Sequence, residues 1–136
     1  MTGLIVLLVA VALTAAVAWV VSIKNGRFSD KKDVEHLDFH DLGSALGERA
    51  TLVQFSSAFC APCRATRVLL ADVADTVPGV THAELDAEAN LDLVRELNIT
   101  RTPTVLVLDA DGRVRNRAVG LPRRTDLLAA LGAVVS

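Results

Sequence analysis

The sequence predicts an α/β domain with a mixed central sheet and helices on both faces, preceded by one N-terminal transmembrane helix. Three observations lead there. An uncharged apolar run opens the chain. After it, short β-rich runs alternate with segments of helical periodicity, which implies parallel strands joined by crossover helices. The last two β-rich runs are separated only by a turn, which implies an antiparallel hairpin in the same sheet. The chain has 136 residues, with 14 basic and 16 acidic side chains and a formal net charge of −2. That length suits one soluble domain, and the balanced charge carries no nucleic-acid signature. With 8 Gly and 4 Pro thinly spread, no segment reads as repetitive or low-complexity.

Leu4 to Ile23, LIVLLVAVALTAAVAWVVSI, carries no charge. At about 1.5 Å per residue a helix of this length spans about 30 Å of hydrocarbon. Trp19 sits near its C-terminal end, where an amphipathic ring favours the interface. Ala16-Val17-Ala18 resembles a cleavage site. No Lys or Arg precedes the run, however, and the run continues past Ala18, so residues 3–23 read as a retained anchor. Lys24, Arg27, Lys31 and Lys32 all follow it. A cation excess stays in the cytoplasm. The expectation is a single-pass cell-membrane protein with its domain on the cytoplasmic side, an extracytoplasmic domain being the alternative. Residues 24–36, KNGRFSDKKDVEH, read as a polar linker, either a solvated spacer or a contact for anionic headgroups. Residues 37–136 are left for the soluble domain.

Within that domain, HDLGSALGERA predicts a short helix over Phe39–Leu46 that ends near Gly47. Thr51–Ser57, TLVQFSS, reads as a buried strand. From Cys60 the period changes. Cys63, Arg67, Leu70, Ala74 and Val77 recur at helical spacing, widened by Val68, Leu69 and Val73. Pro62 falls in the first turn, where a missing N–H is harmless, and Pro78-Gly79 ends the helix. Val80–Asp86 reads as a second strand. NLDLVRELN reads as a helix with Leu91, Val94 and Leu97 on one face and Asn90 as its cap. PTVLVLD is a third strand, residues 109–112 a turn, and RVRNRAVG a half-exposed fourth strand. LPRRTDLLAALGAVVS closes the chain with a helix that turns Leu127, Leu128, Leu131 and Val134 inward.

The only two cysteines lie in Cys60-Ala61-Pro62-Cys63. Two thiols fall short of the four ligands a structural zinc site takes, and His36, His40 and His82 lie outside any finger spacing. A disulfide here closes so short a loop that it removes little chain entropy. The third reading accounts for the context. A C-x-x-C pair between a strand and a helix is a redox motif. Unpaired N–H groups and the dipole at a helix N-terminus favour an anion, so Cys60 is expected partly as thiolate, the attacking species in exchange. Cys63, one turn in, is placed to attack the resulting mixed disulfide. Pro62 stiffens the turn between them, and Ala61 with Pro62 tunes the pair.

With FSSAFCAPC, TRTPTVLVLD and Gly120 in AVGLP, in this order of elements, the stretch from Leu37 to Val135 resembles the thioredoxin family. The resemblance implies a thioredoxin-like sheet and a thiol–disulfide oxidoreductase. Cys60 would be its nucleophile and Cys63 its resolving thiol, and Pro103 a cis-proline beside them. The Thr102 backbone would pair with an extended substrate segment. It implies protein disulfide or dithiol substrates and an upstream redox partner. It implies no cofactor or metal beyond the two cysteines. The chain also departs from the family. Gln54 stands where a buried Asp is usual, and Glu84 where Lys is frequent on the neighbouring strand. Glu84 then has two readings: a proton acceptor that reaches under Cys63, with burial raising its pKa, or a solvated carboxylate on the strand rim, since Glu is rarely buried unpaired. Phe59 replaces the usual Trp before the first cysteine. Two rival readings remain: a thioredoxin-like binding, assembly or redox-sensor module with little turnover, and a copper chaperone using Cys60 and Cys63.

Overall fold

The computed structural model describes residues 1–24, 28–30, 36–37, 39–43 and 45–135. The first element, α1 (Thr2–Lys24), buries none of its apolar surface in the rest of the chain and has a mean hydropathy of 2.9 over its apolar window. It is long and apolar enough to cross a membrane.

The remaining elements follow as β1 (Ser29–Asp30), α2 (Phe39–Leu42), β2 (Ala50–Ser56), α3 (Ala61–Thr76), β3 (Val80–Asp86), α4 (Leu91–Glu96), β4 (Thr104–Asp109), β5 (Val114–Val119) and α5 (Arg124–Val135). The described strands form one sheet in the order β1-β5-β4-β2-β3. β2 and β3 are parallel, joined through α3, while the other neighbours pair antiparallel. β2 is buried along its whole length because it lies between two strands and under helices on both faces. Its side chains divide by parity. Val53 and Phe55 join Leu85, Leu93, Leu97, Leu106 and Leu108 on the α2/α4 face. Ala50 and Leu52 join Leu70, Val73, Val105, Val107, Leu127 and Leu131 on the α3/α5 face. Gln54, between them in this parity, therefore points at α3. The hairpin between β4 and β5 turns at Gly112, whose φ of +86° suits a residue without Cβ.

Several boundaries and faces differ from those expected. The segment taken as a linker, residues 24–36, supplies β1 on the edge of β5, and His36 bridges to Arg113. The first short helix stops at Leu42, where Gly43 turns left-handed with φ +67°. Helix α3 buries Cys63, Thr66, Leu70 and Val73, while Arg67 and Val68 face solvent. In α4 the buried residue is Leu93, joined by Leu97 just past the helix end, and Leu91 is exposed. In α5, Ala130 takes the inward place expected for Leu128. In each helix the true stripe lies beside the expected one, because the direction of approach to the sheet selects among adjacent apolar columns.

Candidate active site

The run from Ser57 to Cys60 leaves the end of β2 and turns into α3. Cys60 occupies the N-cap with extended backbone, φ −117° and ψ 99°, and a proline follows in the first turn. Cys60 and Cys63 are joined as a disulfide, with S–S 1.96 Å and Cα–Cα 5.3 Å. The two sulfurs differ in access: Cys63 is 2% exposed, and Cys60 is half-buried. Phe59, Ala61 and Pro62 lie on the surface around Cys60, with Phe59 fully exposed.

The second motif arrives from the start of β4. The Thr102–Pro103 peptide bond is cis, and the Pro103 carbonyl accepts a hydrogen bond from Gly120 N–H at 2.8 Å. Pairing of Phe55 with Thr104 places this turn beside the end of β2. The hydroxyls of Ser57 and Thr102, 2.9 Å apart, tie the two loops directly. Thus Cys60, Cys63, Thr102 and Pro103 come to one end of the sheet. The Ser57–Thr102 tie went unnoticed in the sequence, where nothing marks two hydroxyl residues that far apart as partners.

Beneath α3 lies a run of polar side chains. Gln54 is fully buried, and its amide donates to the Cys63 carbonyl at 2.8 Å and to Ser56 Oγ at 2.9 Å. The Ser56 hydroxyl in turn donates to Glu84. Glu84, the register partner of Gln54 on β3, forms a two-pronged ion pair with Arg67, whose Nη2 donates at 2.6 Å. The run links Arg67 through Glu84, Ser56 and Gln54 to the Cys63 carbonyl. Gln54 Oε1 is buried without a hydrogen-bond partner among the described residues.

This arrangement decides against the proton-acceptor reading of Glu84 and places the carboxylate on the strand rim. Its carboxylate is committed to Arg67, and that hydrogen bond holds its pKa below the ordinary 4.5, against the opposing effect of burial. A carboxylate held ionised in this way makes a poor proton acceptor near neutrality. Arg67 is correspondingly held above its ordinary value by Glu84. The helical spacing from Cys63 to Arg67 was present in the sequence; the register that sets Glu84 beside Gln54, and its convergence with Arg67, were not. His82, on the same face of β3, has its pKa lowered below 6.5, mainly by burial.

The fold and site define a class: a mixed sheet that presents a disulfide at a helix N-terminus beside a cis-proline. The thioredoxin family model matches residues 33–133, well over half of the chain, and the chain belongs to the thioredoxin family. A thioredoxin of Arabidopsis thaliana is 33% identical over 69 residues, 51% of this chain and 44% of that protein. The thioredoxin of Mycoplasma genitalium is 26% identical over 81 residues, 60% of this chain and 78% of its own. Spinach chloroplast thioredoxin F is similar in structure, with a TM-score of 0.58 and 26% identity over 66% of this chain and 80% of that one. The chain spans about half the length of some curated relatives it matches, 44% and 47% for two of them.

Two outcomes follow. Replacing Gln54 by Leu leaves the Cys63 carbonyl and Ser56 without their donor, and the oxidised protein loses about 1–3 kcal/mol of stability. Urea unfolding measures it; an unchanged midpoint contradicts the clamp. Acidification should weaken the fold in two stages. The folded state resists protonation at His82 and at Glu84, so the unfolded state binds more protons as pH falls. Stability then declines below the ordinary His82 value of 6.5 and again below the ordinary Glu84 value of 4.5. Urea midpoints taken from about pH 8 to pH 3 show both stages, and His82→Gln removes only the first.

Proposed function

We propose that this chain is a membrane-tethered thiol–disulfide oxidoreductase of protein substrates. The observation that carries the reading is the Cys60–Cys63 disulfide at the N-terminus of α3, beside cis-Pro103. In the reducing direction the Cys60 thiolate attacks one sulfur of a substrate disulfide. A mixed disulfide forms, and the other substrate sulfur leaves as thiolate. Cys63 gives up its proton and attacks Cys60 Sγ, which forms the internal disulfide and releases the second substrate thiolate. Two electrons pass to the substrate, and an upstream dithiol returns them. The reverse sequence oxidises a substrate dithiol. The chemistry needs no group beyond the two cysteines and these partners.

The difference in access between the two sulfurs supports this division of roles. Attack needs an exposed thiolate, and Cys60 stands at the helix N-terminus, where the dipole lowers a thiol pKa. The resolving step needs a shielded thiol one turn away, which describes Cys63. The Thr102 backbone, beside Pro103 and next to Cys60, is placed to pair with an extended substrate segment. Anchoring rests on the length and apolarity of α1. The cations after it favour a cytoplasmic domain, which the cell would keep reduced.

Insulin disulfide reduction with dithiothreitol as donor tests the activity. Cys60→Ser should bring the rate to the uncatalysed background. Cys63→Ser should accumulate a mixed disulfide with the substrate, seen by mass spectrometry. Wild-type turnover at the background rate would leave a binding module instead. Sidedness is read by a membrane-impermeant thiol reagent on intact cells: Cys60 should stay unlabelled until the membrane is permeabilised, and labelling beforehand reverses the orientation.

A further inference from the structure

We infer that Gln54 is a further residue of the redox couple: once the disulfide is reduced, its amide oxygen accepts a hydrogen bond from the Cys63 thiol, and that bond biases the couple toward the dithiol. This rests on the exchange reading above.

The two ends of the Gln54 amide have different company. The side chain is fully buried. The Cys63 carbonyl can only accept, so the group 2.8 Å from it is the amide nitrogen. The second N–H goes to Ser56 Oγ at 2.9 Å. Both hydrogens are thereby used, and exchanging nitrogen for oxygen would set two acceptors against each other at the Cys63 carbonyl. Oε1 is left buried, with no hydrogen-bond partner among the described residues.

The polar side chains around it are engaged elsewhere. The Ser56 hydroxyl donates to Glu84, and the Thr66 hydroxyl donates to the Pro62 carbonyl at 2.8 Å. Glu84 brings only acceptors and is held by Arg67. On the other side of β2 the register partner of Gln54 is Val105, which is apolar.

Reduction adds a donor at this spot. The bond lengths of a planar amide set Oε1 about 2.3 Å from Nε2, so it lies within about 5 Å of the Cys63 carbonyl oxygen. Cys63 Sγ leaves the same residue, on a side chain only 2% exposed. In the disulfide that sulfur has no hydrogen to give. When the upstream dithiol reduces the pair, the S–S bond breaks and two electrons and two protons pass to the sulfurs. The upstream dithiol closes to its own disulfide. Cys60, on the open side of the helix end, can release its proton to water. Cys63 keeps its proton in a dry site, where a thiol is a weak donor in need of an acceptor. The buried thiol and the buried amide oxygen are then each other's partners.

The bias follows from which state leaves the acceptor unmet. A buried acceptor without a donor is costly, and here the cost falls on the oxidised state alone. The amide's grip on the Cys63 carbonyl is made to backbone that both states share, so it favours neither.

The test uses the full chain in detergent micelles, equilibrated with mixtures of reduced and oxidised dithiothreitol and read by thiol alkylation and mass. Gln54→Leu removes the acceptor. At a fixed buffer ratio it should lower the dithiol-to-disulfide ratio of the protein by about tenfold, a shift of about 30 mV toward a more reducing potential. Loss of a merely structural clamp weakens both redox states alike and leaves the ratio in place. A ratio within about twofold of wild type, or one that rises, overturns the inference.

A second measurement stands even where Gln54→Leu fails to fold. The chain has 2 cysteines, so in Cys60→Ala the only thiol is that of Cys63. Its S–H stretching band in the infrared should lie below that of a thiol in an apolar solvent, and Gln54→Leu in that background should move it back up. A band at the unbonded position overturns the inference, as does a lowered band that Gln54→Leu leaves in place. Both readouts are taken without substrate. Failure of the wild type to reduce insulin therefore overturns the exchange reading, and the band and the ratio judge this contact separately.

Discussion

The pairing of Phe55 with Thr104 is the contact on which the site depends. Phe55 ends the central strand that delivers Cys60, and Thr104 begins the strand that delivers Pro103. Both residues are fully or almost fully buried, so the register between β2 and β4 is held by core packing on one face and the other. A slip of one residue would exchange the two faces of the strand and turn Gln54 into the wrong core. The disulfide and the cis-proline meet because that register admits no alternative.

The polar run under α3 follows from the same register. Gln54 and Glu84 are neighbours across β2 and β3, and both point at α3. Gln54 holds the first turn of α3 by the Cys63 carbonyl, and Glu84 holds the next by Arg67. A neutral amide in the buried position and a carboxylate kept ionised at the rim leave no titrating acid next to Cys63 within this run. Proton release from the resolving thiol then has to proceed without a buried carboxylate at residue 54. Gln54 Oε1 is a buried acceptor beside that turn with no hydrogen-bond partner among the described residues.

At the other end of the chain, α1 and the domain place their apolar residues in opposite ways. The helix exposes Leu, Val, Ile and Trp side chains along its length, whereas the domain buries its apolar residues in two layers about the sheet. The short stretch between them enters the sheet as β1, so the edge of β5 is covered by the chain's own N-terminal segment. An unpaired edge is a template for association with other strands, and here part of it is occupied.

The sequence by itself determined the periodic elements and the chemistry of the cysteine pair. Apolar runs such as TLVQFSS and PTVLVLD, with a helix starting at Cys60, are local patterns, and local patterns are what a linear reading resolves. Resemblance to a known family added the partnership of Pro103 with the cysteines. Tertiary structure alone decided the rest. Val68, Leu91 and Leu128 are apolar and in helical phase, yet they face solvent, because only the docking angle chooses among adjacent columns. Glu84 was placed on its strand with its state left open, because its pKa is set mainly by Arg67, which arrives from another element. The strand at Ser29–Asp30 was taken for a spacer, since two polar residues carry no period and gain their form from the β5 edge. Contacts that join distant segments depend on register and approach, and neither is written in the local order of residues.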